Sequence, residues 1–474
     1  MLGGRLSYTA AFAPKLCEAF ALLLLALGMA HAAVWPPTLD TNNPITRCND
    51  GRKVQRYWHG PLAAWGYPAS EDGGWKYPAP EETGAAQQNH NSFYVVEPQR
   101  PHKNAPLVVI LHSANRTAFD YLGFACLARK VEPGDDPATA MTNPPHDFYA
   151  LFLNSTNAEW WGWTQAQANM ARDIHAPPPA ELRVLDTIEW VISRYRIDRN
   201  RVYLSGVSMG GNGALGIGMP HGDIFAAMRV TVPAGTGYAA YTMGNFPASE
   251  TADVSPSNPE DSPDRASGSN LPDPPVVVDF SSQIDSWSRT QPALLQAAQV
   301  QRLPLVLSWG RFGHTIFGSH IAQYPLCQIA LAYPWLQIRK NQAYPVFTHA
   351  SSNQHAPWTS PPEHADDSGQ TNAYFRWKNI RDTTSNFAME LWITHPPVQN
   401  PPASMPDAAV VDITLRRLQQ FKIRPDRKYT WELTQHGRIV ASGQASLGAA
   451  NLLTIPKVTL ATASESLSIS AANR

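Results

Sequence analysis

Apolar residues follow two rhythms along this chain, and the change falls near Tyr344. Before it, mostly apolar runs of strand length recur: Ser92 to Glu97, Pro106 to Leu111, Phe148 to Leu153, Val202 to Leu204, Phe225 to Val232, Pro275 to Phe280 and Leu303 to Trp309. Between two of them, Val184, Leu185, Ile188, Val191, Ile192 and Tyr195 repeat at helical spacing and predict a helix from Glu181 to Arg196. Strands without in–out alternation are buried on both faces. Interleaved with helices, they predict a mostly parallel sheet with helices on both sides, an α/β fold. After Tyr344 the helical spacing disappears. Val411, Ile413 and Leu415 alternate onto one face. Tyr429 to Leu433 and Arg438 to Ala441 flank a turn near Gly437, which predicts a hairpin. Leu452 to Leu460 and Ser466 to Ile469 continue the pattern, as expected of a small antiparallel β-sandwich.

The ends and joints of these patterns suggest a division of the chain. Arg5 and Lys15 precede an apolar run from Ala19 to Met29, and Ala30-His31-Ala32 offers a cleavage site. Residues 1–32 therefore read as a secretory signal peptide, too short for a membrane anchor. Residues 33–91, rich in Trp, Tyr, Gly and Pro, read as an irregular N-terminal arm. Residues 92–343 make the α/β domain, interrupted at 247–274 by a Ser-, Pro- and Asp-rich insertion loop. Residues 344–474 make the sandwich.

Composition narrows the class. The net charge is −1 and there is no basic run, so the chain carries no electrostatic footprint for nucleic acid. With 42 prolines, 15 tryptophans and only 16% charged residues, it suits a loop-rich protein that is secreted or periplasmic. No later segment is apolar for long enough to act as a membrane anchor. Once Cys17 leaves with the signal, Cys48, Cys126 and Cys327 allow one disulfide with one thiol left over, Cys48 pairing with either of the others. No Cys or His group has metal-ligand spacing, and no cofactor is called for.

The candidate chemistry lies in one pentapeptide. Gly206-Val207-Ser208-Met209-Gly210 follows the strand Val202 to Leu204 and matches the G-x-S-x-G elbow, which places a serine on a sharp strand-to-helix turn. A serine hydroxyl needs an imidazole to take its proton, and the imidazole needs an acid to orient it. In this fold the acid and then the histidine follow the serine along the chain, each after a strand. His314 stands in the glycine-rich loop after Leu303 to Trp309 and is the candidate base. Asp285, in the loop after the strand Pro275 to Phe280, is the favoured acid. Asp279, within that strand, is the second candidate. The oxyanion donors expected by position are the backbone of Met209 and of Ser113 or Ala114, in the loop after Leu111. Trp161 and Trp163, near Trp160, and Trp287 beside the proposed acid, are candidate substrate-binding aromatics, forming either a stacking wall or a plug of core.

On these residues the stretch from Leu107 to Phe317 resembles secreted α/β-hydrolases of the polyhydroxybutyrate depolymerase and feruloyl esterase type. The matching pieces are Leu107 to Ser113, Asp186 to Gly213 and Gly313-His314. The resemblance implies ester hydrolysis through an acyl-enzyme with Ser208, Asp285 and His314 as a triad. In such proteins glycine usually follows the histidine after the third strand; here Ser113 follows His112. Two other readings stay open: a serine peptidase of the prolyl-oligopeptidase type, and an inactive binding or adhesion protein. Polyester, feruloyl and aryl esters are all substrate classes left open, a polymeric ester among them, as is the oligomeric state.

Overall fold

The computed structural model describes residues 36–43, 45–59, 65, 92–114, 116–127, 144–154, 160, 179–233, 272–285, 288, 291–311, 313–314, 324–354 and 368–472, the last without 399–401, 403–404, 426 and 449–451. The predicted signal peptide, most of the insertion loop, Trp161, Trp163 and Trp287 lie outside the described residues.

Nine strands come first: β1 (Thr38–Leu39), β2 (Val54–Trp58), β3 (Ser92–Val96), β4 (Leu107–Leu111), β5 (Tyr149–Leu153), β6 (Val202–Val207), β7 (Ala227–Thr231), β8 (Val276–Ser282) and β9 (Leu305–Gly310). They form one sheet in the order β1-β2-β3-β5-β4-β6-β7-β8-β9. The run β5-β4-β6-β7-β8-β9 is parallel, while β3 pairs antiparallel with both β2 and β5. Swapped neighbours β5 and β4 with an antiparallel β3 give this sheet the α/β-hydrolase topology. β3, β4, β5, β6, β7 and β8 are buried along their whole length, which is why their sequences lack alternation.

Helices α1 (Ala118–Leu127), α2 (Pro179–Tyr195), α3 (Met209–Gly218), α4 (Gln291–Gln301) and α5 (Pro325–Leu331) cover the two faces. Val184 and Ile188 of α2, Leu215 of α3 and Leu294 of α4 share one apolar cluster with Val109, Leu204 and Leu305. Leu122 of α1 and Ile329 of α5 belong to the other, with Val108, Tyr203 and Val278. The α2 helix lies where its periodicity predicts it. The arm of 33–91 is less irregular than expected, because Val54–Trp58 is a full strand of the main sheet. A disulfide joins Cys48 to Cys126, tying the arm to the end of α1 and leaving Cys327 free and buried.

The C-terminal segment contributes β10 (Tyr344–Thr348), β11 (Gly369–Thr371), β12 (Phe375–Asp382), β13 (Asn386–Ile393), β14 (Ala408–Arg416), β15 (Tyr429–Gln435), β16 (Arg438–Ala445), β17 (Thr454–Ala461) and β18 (Glu465–Ala471). Two antiparallel sheets result, β10-β14-β17 and β12-β13-β18-β15-β16. Their apolar faces meet, with the rings of Phe347 and Phe375 stacked at 4.5 Å. The predicted hairpin is β15–β16, turning at His436 and Gly437 with φ of 49° and 76°. Both positive angles match the twist that a two-residue hairpin turn requires. β11 departs from this body and pairs antiparallel with β9 as the tenth strand of the main sheet. The sandwich core is also continuous with the face of the main sheet that α1 and α5 cover.

Candidate active site

The site begins with a backbone that side chains forbid. A Cβ on Gly206 would lie 2.0 Å from the carbonyl oxygen of Gly210, and one on Gly210 would lie 2.1 Å from that of Leu111. Glycine at both positions lets β6 turn into α3 within a few residues. Ser208 sits at the apex with φ 56° and ψ −119°, a strained conformation for a non-glycine residue. Its N–H donates to the Thr231 carbonyl on β7 at 2.8 Å, which holds the apex in place.

Two loops at the carboxyl rim of the sheet bring the other groups. The Ser208 hydroxyl and Nε2 of His314 are 2.7 Å apart. Nδ1 of the same ring is 2.7 Å from Oδ2 of Asp285. With an acidic acceptor at Nδ1, that nitrogen carries the proton, and Nε2 accepts from the serine. The Asp285 side chain is 4% exposed and that of His314 44%, so the acid is sealed while the ring faces solvent. Gly313, at φ 71°, turns the loop after β9, and its N–H donates to Oγ of Ser282 at 2.9 Å. Ser282 thereby seats the histidine loop, a contact with no motif to announce it.

Asp279 is held elsewhere. Its carboxylate accepts from the Ser281 hydroxyl at 2.9 Å and from Nε2 of Gln291 on α4 at 3.0 Å. Burial pushes its pKa up to about 7, against the smaller opposing pull of the two hydrogen bonds. The chain thus brings Asp285, and not Asp279, to the imidazole.

The close approach at Gly210 packs the loop after β4 against the first turn of α3. Met209 opens that helix, so its N–H has no helical carbonyl to meet. The Ser113 N–H donates to the Tyr121 hydroxyl of α1 at 3.2 Å. The imidazole of His112 is buried, and desolvation holds its pKa down to about 4, keeping it neutral. Trp160 is a plug rather than a wall. It is fully buried, donates from Nε1 to the His112 carbonyl at 2.7 Å, and stacks edge-on with that ring. A Cβ on Gly213 would strike it at 2.2 Å, so α3 and Trp160 fit only because residue 213 has no side chain. Sequence reasoning missed Tyr121 and Ser282 as supports of the site, and for Trp160 it left wall and plug open.

Among the described residues no group of three or more His, Cys, Asp and Glu side chains gathers as metal ligands. None of their helices is long and apolar enough to cross a membrane.

No protein-family model and no curated protein matches this chain. Among solved structures it is similar to the fluorophosphonate-binding serine hydrolase F of Staphylococcus aureus, at 14% identity and a TM-score of 0.34, over 51% of this chain and 92% of that one. A ferulic acid esterase matches at 16% identity and a TM-score of 0.32, over 51% and 91% of the two chains. An S-formylglutathione hydrolase from Agrobacterium tumefaciens matches at 13% identity and a TM-score of 0.36, over 64% and 99%.

Proposed function

We propose that this chain is a secreted serine hydrolase of carboxylic esters, with Ser208 as nucleophile, His314 as general base and acid, and Asp285 as the group that orients the imidazole. The observation that carries the reading is the unbroken relay from Ser208 through His314 to Asp285, two contacts of 2.7 Å, on a serine held at positive φ. In the first step Oγ attacks the ester carbonyl carbon as its proton passes to Nε2. The resulting imidazolium is stabilised by Asp285 and returns the proton to the leaving alcohol. Water then attacks the acyl-enzyme by the same path, releasing the acid. The oxyanion is met by the N–H of Met209 and a second donor from the loop after β4, Ser113 or Ala114. Polyester, feruloyl and aryl esters are the substrate classes in view, with the leader of residues 1–32 directing export.

The test is covalent labelling by a fluorophosphonate together with release from p-nitrophenyl esters and peptide anilides. Labelling at Ser208 with ester turnover well above anilide turnover is expected. Anilide preference would move the reading to a peptidase, and absence of labelling would make the chain a binding protein.

A further inference from the structure

Most of the enclosed arginines among the described residues donate to backbone carbonyls. Arg183 donates to Asn154, Arg376 to Ala373 and Phe375, and Arg417 to Ala226, Phe225 and Pro274. Arg229 on β7 does not. The residue is 7% exposed, and its Nε and Nη2 are sealed from solvent with no hydrogen-bond partner among the described residues. Burial alone draws its pKa down to about 10, with no neighbouring charge helping or opposing. The contact found for the guanidinium is the face of Phe280, whose centroid lies 5.3 Å from the central carbon. A ring face softens the loss of water but offers no acceptor to an N–H.

Its position is informative. In register Arg229 pairs with Val278, whereas Phe280 pairs with Thr231, two residues nearer the catalytic rim. The guanidinium and the Phe280 ring therefore converge between these two levels of the sheet. Thr231 accepts the N–H of Ser208, and Ser282, the next residue on Phe280's face of β8, holds Gly313 beside His314. Nε and Nη2 form the edge of a guanidinium that grips a planar carboxylate with two parallel hydrogen bonds.

We propose that Arg229 anchors an anion subsite on its face of β7, below the rim that carries Ser208, and that this subsite takes a carboxylate carried by the substrate. The proposal rests on the ester-hydrolase reading and adds a substrate class to it: esters that bear a free carboxylate. The edge is covered, so occupancy requires local opening, and direct binding belongs in the test.

The probes are 4-acetoxybenzoate and 3-(4-acetoxyphenyl)propanoate, each against its primary amide, a neutral analogue of nearly the same shape. The natural enzyme should favour the acid in kcat/KM by about tenfold or more, as a charge-assisted pair implies. In Arg229→Met the ratio should fall to near one, and Arg229→Lys should keep part of it. Calorimetry on Ser208→Ala should show 4-acetoxybenzoate binding more tightly than the amide. Equal rates and equal affinities for acid and amide would overturn the subsite while leaving the esterase reading intact. Failure to hydrolyse any probe, without fluorophosphonate labelling, would sink the esterase reading, and the calorimetric comparison would still decide the subsite. If both arginine variants fail to fold, the two measurements with Arg229 in place decide it.

Discussion

The main sheet and the C-terminal sheets enclose their interiors differently. β4, β5 and β6 are buried at every position, whereas β13 alternates strictly between buried and half-exposed residues. In the alternating sheets most polar side chains turn outward, and the inside is built around apolar residues such as Met389, Leu433 and Leu467. From β3 to β9 both faces of the main sheet are covered, so a polar side chain on these strands is enclosed. Asp279 and Arg229 are such residues, on adjacent strands. The difference teaches that one region settles stability by packing. The other tolerates costly enclosed groups, and the two should respond to substitution in opposite currencies.

The strongest break of that symmetry is Ser208→Ala. Ester turnover should fall by roughly four to six powers of ten while the melting temperature hardly moves, because the glycines and not the hydroxyl set the elbow. A large drop in melting temperature would contradict this separation. Leu467→Ala is its mirror image. That side chain is fully buried on β18, opposite Met389 and Leu433. A denaturant titration should show a loss of about 2–5 kcal/mol, with kcat per folded molecule unchanged.

Asp279→Asn probes the enclosed polar groups through pH. The folded pKa of about 7 lies above the ordinary carboxyl value of 3.8. Relative to alkaline pH, the neutral acid therefore stabilises the fold fully below about pH 4, and that contribution is lost as pH rises through 7. The amide cannot ionise. The variant should gain on the natural protein by roughly 1–3 kcal/mol between pH 5 and 8, measured by urea melts across that range. Gln291 accommodates the change, since its Oε1 has no hydrogen-bond partner among the described residues and an amide flip would turn it toward residue 279. The smallest effect belongs to the hairpin: Gly437→Ala, at φ 76°, should cost about 1 kcal/mol and leave turnover alone.

These contrasts also explain what the sequence makes legible. The elbow is read directly because its glycines and serine are contiguous, and His314 because a glycine-rich loop follows a clear strand. Asp285 is favoured over Asp279 because it lies in the loop after the strand, where the acid is expected, whereas a carboxylate buried within a strand is costly unless paired. β2 was hidden because Gln55 and Arg56 interrupt its apolar residues within a segment dense in Trp and Gly. In β12 the register shifts between Lys378 and Arg381, which destroys the alternation that would reveal it. Tyr121, Trp160 and Ser282 support the site from separate elements, and no local pattern encodes such meetings. Arg229 lies in a run read as a doubly buried strand, and nothing in that run tells which groups its guanidinium meets.

β11 has a consequence for anyone who would divide this gene. A protein shortened at the onset of the second apolar rhythm would lose the three residues that finish the sheet at β9. The bared row of N–H and C=O groups would run beside the loop that bears His314, and unprotected edges of this kind recruit further copies into aggregates. An active half-length product should therefore extend past Thr371. The α/β part and the C-terminal sheets are interlaced at this strand.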